Sequence, residues 1–169
     1  MHHFCVEKEV ILNLPMAYAV SFLNAGKDEL LVCASEGLGG CFTYPRDGVS
    51  PINTVWENAG GCMSISQVAA DGTFLAVQNF FKGFNAKEAC LTKSVPDGRG
   101  GWETSLFLDF PYLHRFETID VEDQKFIILS KLCAKKEFKE DWSKPGTVYL
   151  GKINRSLEPP VELEQLIPS

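Results

Sequence analysis

The stretch LFLDFPYLHRFET, residues 106–118, decides how the rest of the chain reads. An apolar, β-branched-tolerant run reaches Pro111, which cannot donate to a ladder and so ends a strand. A second run of strand character starts at once with Tyr112, Leu113, His114 and Arg115. The same joint stands near the N-terminus, where ILNLPMAYAVSF places Pro15 in the position of Pro111. An outer strand hands over to a new inner strand through a short turn, and the joint marks the seam of a repeat.

Working outward, the chain divides into three passes. Residues 4–14, FCVEKEVILNL, read as an extra strand before the first pass. The first pass, 16–58, holds AYAVSFLN, a turn at Ala25–Asp28, ELLVCAS, the glycine-rich SEGLGG, CFTY and a strand from Ile52 to Glu57. The second, 61–110, holds CMSISQV, a turn at Ala70-Asp71-Gly72, TFLAVQNF, the loop FKGFN, EACLTKS and WETSLFLDF. The third, 112–168, holds LHRFETI, a turn at Glu122–Gln124, KFIILSKL, a lysine-rich loop, TVYLGKI and PVELEQLI. Leu30, Phe74 and Phe126 open the second strand of successive passes, and Tyr18, Cys62 and His114 open the first. No segment has the apolar period of an amphipathic helix long enough to stand alone.

Four short strands recurring every 40–50 residues or so are the pattern of propeller blades. On the hairpin turns at Asp28, Asp71-Gly72 and Asp123 and the Pro15 and Pro111 joints, the whole chain resembles a generic four-strand-blade β-propeller. That resemblance implies an all-β fold of three four-stranded blades with an N-terminal outer strand, half of a six-bladed ring. The tryptophan–aspartate signature of one large propeller family is absent. So is the acidic calcium loop of integrin-type repeats, of which Val121–Gln124 keeps a remnant. The rival architecture is a β-sandwich, which short strands also allow but which leaves the repeated order unexplained.

Three blades leave two open edges and exposed apolar faces. A homodimer closing the ring is the expected working state, with a second chain supplying the missing blades, or a longer product of which this chain is the N-terminal half, as the alternatives.

Composition bounds the partners. The 169 residues carry 45% hydrophobic and 22% charged side chains, in the range of a globular domain, and a formal net charge of −6. An acidic chain does not suit a nucleic-acid ligand. No run approaches the length of a membrane span and the start lacks a signal-peptide core, so a cytoplasmic location with no membrane partner is expected. The six cysteines form no C-x-x-C pair and fall mostly within strands, where they read as small buried apolar residues.

Chemistry should sit on the face that carries the loops between second and third strands and the joints between passes. These loops, 34–40, 80–88 and 133–146, lengthen along the chain, and loops on a rigid scaffold carry binding groups. The candidate ligand-binding residues there are Glu36, Asn79, Lys82, Tyr112, Lys131, Asp141 and Trp142. An exposed indole beside a carboxylate suits a sugar, so a carbohydrate or an anionic small molecule is the expected ligand.

His114 and Arg115 are the candidate catalytic pair. Histidine can act as acid or base near neutrality, and arginine can fork onto a carboxylate or phosphate. Neighbours on a strand point to opposite sides, so only one of the two can face the channel. The acidic trio Asp120, Glu122 and Asp123 lies on the short-turn face and is explained by turn chemistry. No nucleophile elbow, phosphate loop or zinc-binding helix motif is present, and no metal or cofactor is expected. The leading function is a binding or scaffold protein recognising a small polar ligand, a glycan or a protein. The alternative is a sugar isomerase, dehydratase or lyase using His114 and Arg115 at the channel mouth.

Overall fold

A computed structural model describes residues 5–46, 52–81, 86–154, 156–159 and 161–167. It is all-β, with three separate four-stranded antiparallel sheets in chain order. The first holds β1 (Ala17–Ala25), β2 (Asp28–Ser35), β3 (Cys41–Pro45) and β4 (Asn53–Trp56). The second holds β5 (Ile65–Gln67), β6 (Phe74–Gln78), β7 (Cys90–Pro96) and β8 (Trp102–Asp109). The third holds β9 (Leu113–Val121), β10 (Gln124–Lys131), β11 (Val148–Ile153) and β12 (Leu163–Gln165). Each sheet is an unbroken meander, and there are three sheets where a sandwich has two.

The two proline joints are the same turn. Ala17 N donates to Leu14 O at 3.2 Å, and Leu113 N to Phe110 O at 3.1 Å. Each turn has Pro second, and its third residue has positive φ, 54° at Met16 and 65° at Tyr112. This is the type II pattern, with proline presetting one dihedral and a residue other than glycine carrying the left-handed one. The joint between the first two sheets is built differently, with positive φ at Asn58, Gly60 and Gly61.

The sheets pack face to face. Between the first and second lie Ala19, Leu23, Val32, Ala34, Cys41, Val55, Phe74 and Ala76. Between the second and third lie Leu75, Val77, Leu91, Phe107, Phe116, Ile127 and Leu129. Alternation along β6 explains the split, because Phe74 and Ala76 face one neighbour while Leu75 and Val77 face the other. Polar pairs pin both seams. Gln67 exchanges two 2.8 Å bonds with the Asn24 backbone, and the Ser66 and Thr118 hydroxyls lie 3.2 Å apart.

Two sequence expectations change. Residues 5–14 join no strand among the described residues and are largely exposed. All three sheets reach four strands without them. The register of the second sheet also differs. Its hairpin is longer, with Val68 N bonded to Thr73 O across Ala69–Gly72, whereas Ala25↔Asp28 and Val121↔Gln124 close two-residue turns. The longer turn slides the second strand by one residue, so Leu75, not Phe74, occupies the place of Leu30 and Phe126.

Among the described residues no helix is long and apolar enough to cross a membrane.

Candidate functional site

The starts of β1, β5 and β9 converge at the end of the molecule that carries the long loops. Between them opens a cleft of about 450 Å³, lined by Tyr18, Met63, Ser64, Arg115, Glu117 and Ser130 among others. Arg115 ties its walls together. Its Nη1 donates to Met63 O of the second sheet at 2.5 Å, and its Nη2 to the Tyr18 hydroxyl of the first at 2.7 Å. The guanidinium also lies over the Tyr18 ring, 5.2 Å from the centroid. Glu117, two residues along the same face of β9, accepts from Thr118 N and the Ser66 hydroxyl. The Ser64 hydroxyl oxygen is buried and has no partner among the described residues. An orphaned buried hydroxyl carries a desolvation cost that a ligand atom can relieve.

Strand alternation separates the expected catalytic pair. Arg115 lines the cleft, whereas His114 packs its ring against Phe80, 5.2 Å between centroids. Burial lowers the His114 pKa below 6.5, and the neighbouring Arg115 charge lowers it further, so the imidazole is neutral near pH 7.

The loop 132–147 forms a compact second cluster. Lys136, buried to 5% exposure, stands with its ammonium 3.2 Å from the Trp142 ring centroid and donates to Lys139 O at 2.9 Å. Its backbone N–H donates to the Tyr112 hydroxyl at 3.1 Å. Asp141 accepts from the Ser143 hydroxyl at 2.6 Å, Ser143 N at 2.9 Å and Glu137 N at 3.1 Å. Those bonds, led by Ser143, hold its carboxyl at about 2. Asp141 therefore shapes the loop, and the ring it supports, Trp142, remains 58% exposed.

The other expected ligand-binding residues are spread out. Tyr112, buried at the proline joint, serves the loop through its hydroxyl. Lys131 lies over the Phe110 ring, 4.7 Å from its centroid, and burial lowers its pKa. Glu36 is half-buried beside the first joint, where its N–H donates to Met16 O. Asn79, at φ 59°, donates from Nδ2 to the Cys90 sulfur at 3.5 Å. Lys82 lies outside the described residues.

Tyr18, Ser64, Glu117 and Ser130 were not among the candidate site residues read from sequence. Only Tyr18 carried a signal, because it opens a first strand in the repeat position of His114.

A larger cleft of about 890 Å³ lies between the first two sheets at the opposite end, lined by turn residues such as Gly26, Lys27, Gly98 and Gly100 and by strand residues such as Leu30, Thr43 and Trp102. The smaller cleft is the better candidate because functional side chains from all three sheets meet there. No group of three or more histidine, cysteine or acidic residues is placed to hold a metal ion among the described residues.

No protein-family model and no curated protein matches the sequence. Among solved structures, the chain is similar to a glycoside hydrolase family 43 arabinoxylan arabinofuranohydrolase from Bacillus subtilis, determined in complex with cellotetraose. Identity is 15%, the match covers 87% of this chain and 35% of that one, and the TM-score is 0.48.

Proposed function

We propose that this chain is a non-catalytic binding protein of β-propeller type, whose three sheets are blades. It takes a small hydroxyl-rich ligand, of the sugar or sugar-acid class, at the cleft between β1, β5 and β9. The observation that carries this reading is the convergence of a guanidinium, a phenol, a carboxylate and an unpartnered buried hydroxyl on one cleft. Arg115 presents a fixed cation to an anionic substituent, Glu117 accepts from sugar hydroxyls, and Ser64 gains the partner it lacks. The separation of His114 from Arg115 favours binding over acid–base chemistry, since a general acid or base must come within hydrogen-bond reach of the reacting group.

The test is a heteronuclear NMR titration with glucuronic acid and glucose. Saturable shifts at Tyr18, Ser64, Arg115 and Glu117, with the acid bound more tightly, are expected. Arg115→Ala should weaken the acid by about tenfold, the loss of one charged hydrogen bond. Absence of saturable binding by either sugar would sink the reading.

A further inference from the structure

The first and third sheets each bury one face on the second and leave the other uncovered. On the first sheet the uncovered face carries Val20, Phe22, Leu31, Cys33 and Phe42, which the pairings Val20↔Cys33, Phe22↔Leu31 and Cys33↔Phe42 place side by side. Phe22 is 72% exposed and Val20 57%. On the third sheet it carries Ile119, Phe126, Ile128 and Leu150, joined by Ile119↔Phe126 and Ile128↔Leu150. Ile119 is 41% exposed.

These faces are the two halves of one seam. The two-residue hairpins Ala25↔Asp28 and Val121↔Gln124 place β1 and β2 on β9 and β10 residue for residue. Val20, Leu31 and Cys33, on the uncovered face of the first sheet, fall on Phe116, Ile127 and Leu129. Those three are the residues with which the third sheet buries itself against the second. Ile119, Phe126 and Ile128, on the uncovered face of the third sheet, fall on Leu23, Leu30 and Val32. Those are the residues with which the first sheet packs against the second. The chain therefore exposes one donor face and one acceptor face of the packing it already uses twice internally.

We propose that a second copy of this chain covers both faces. The third sheet of each copy packs on the first sheet of the other, giving two equivalent seams about a two-fold axis and a closed ring of six sheets. Six lies within the roughly four to eight blades at which propellers close. Two seams related by the two-fold axis leave no open face, whereas a single head-to-tail contact would propagate. The partner also walls the cleft where β1 and β9 lack an outer neighbour. Arg115 and Glu117 stand on the same face of β9 as Ile119, so the partner's first sheet also bears on the proposed ligand cleft.

Light scattering with size-exclusion chromatography across a dilution series of the 169-residue chain tests it. Wild type is expected at twice the chain mass down to micromolar concentration. Phe22→Glu and Ile119→Glu should each give a monomer with an unchanged far-ultraviolet circular dichroism spectrum. Phe138→Glu, which alters an exposed residue on the 132–147 loop, should remain a dimer. A wild-type monomer at every concentration overturns the proposal, as do open polymers. Dissociation by Phe22→Glu but not by Ile119→Glu overturns it too, because the first-sheet faces would then be pairing with themselves.

Discussion

Arg115 of β9 donates to the hydroxyl of Tyr18 of β1 at 2.7 Å, although the two strands belong to sheets that are not sequence neighbours. The bond spans the cleft mouth and couples the first sheet to the third. Tyr18→Phe keeps the ring and removes the acceptor, and should lower unfolding free energy by about 0.5–1 kcal/mol, the low end for a hydrogen bond because the pair is exposed. Arg115→Ala also strands Met63 O and should cost about 2 kcal/mol. Urea denaturation of both single variants and the double variant checks this. A coupling near zero in the cycle would show that the contact contributes nothing.

Gly61 is the strictest position at the joint between the first two sheets. Its φ is 99°, and a β-carbon there would meet Glu36 O and lie 2.7 Å from the Phe81 ring. Alanine cannot adopt that dihedral without strain, and the carbonyl it meets is backbone and cannot swing aside. Gly61→Ala should destabilise by about 2 kcal/mol or more. Gly26→Ala, in open space at φ 68°, should pay only the dihedral strain, about 1–2 kcal/mol. Thermal unfolding of the pair should rank Gly61→Ala as the more damaging.

Acid should act in two windows. His114 has a folded pKa below its ordinary 6.5, so the unfolded chain takes up its proton first. Stability from keeping it neutral is complete above about pH 6.5 and declines as pH falls through the lower folded value. Asp141 has its carboxyl lowered from 3.8 to about 2. Its contribution is complete above about pH 4 and disappears as pH falls through 2. The stability difference between wild type and Asp141→Ala should therefore be flat from pH 7 to 4 and shrink below. A difference that already shrinks between pH 7 and 5 would contradict the assignment.

Much of the architecture was legible because proline makes the seams visible. Pro15 and Pro111 mark two turns of the same type, each between the end of one pass and the first strand of the next. The register of the second sheet was not legible, since the slip arises from turn residues at Ala69–Gly72 whose length, not identity, moves every side chain to the other face. Residues 5–14 read as a strand by composition, but strand composition does not by itself supply a pairing partner. The site was harder still. Arg115 stood out as half of a polar pair, yet Tyr18, Ser64 and Glu117 acquire meaning only when three first strands meet. Asp141 beside Trp142 looked like a sugar contact, and its hydrogen bonds to Ser143 and Glu137 give it a loop-forming role that depends on local backbone geometry.

The cysteines separate into one accessible thiol and five protected ones. Cys5 is exposed, whereas Cys33, Cys41, Cys62, Cys90 and Cys133 are buried, and no disulfide joins any of the six. Burial raises the Cys41 thiol far above its ordinary range and pushes Cys62 up to about 12. Since the thiolate is the reactive form, inaccessibility and a raised pKa both slow modification. At pH 8 a chromogenic disulfide reagent should label one thiol per chain rapidly, and Cys5→Ser should abolish that phase. In denaturant all six should react. Fast modification of Cys41 or Cys62 in the native protein, located by mass spectrometry, would mean that the seam between the first and second sheets, where these two lie, opens on the timescale of labelling.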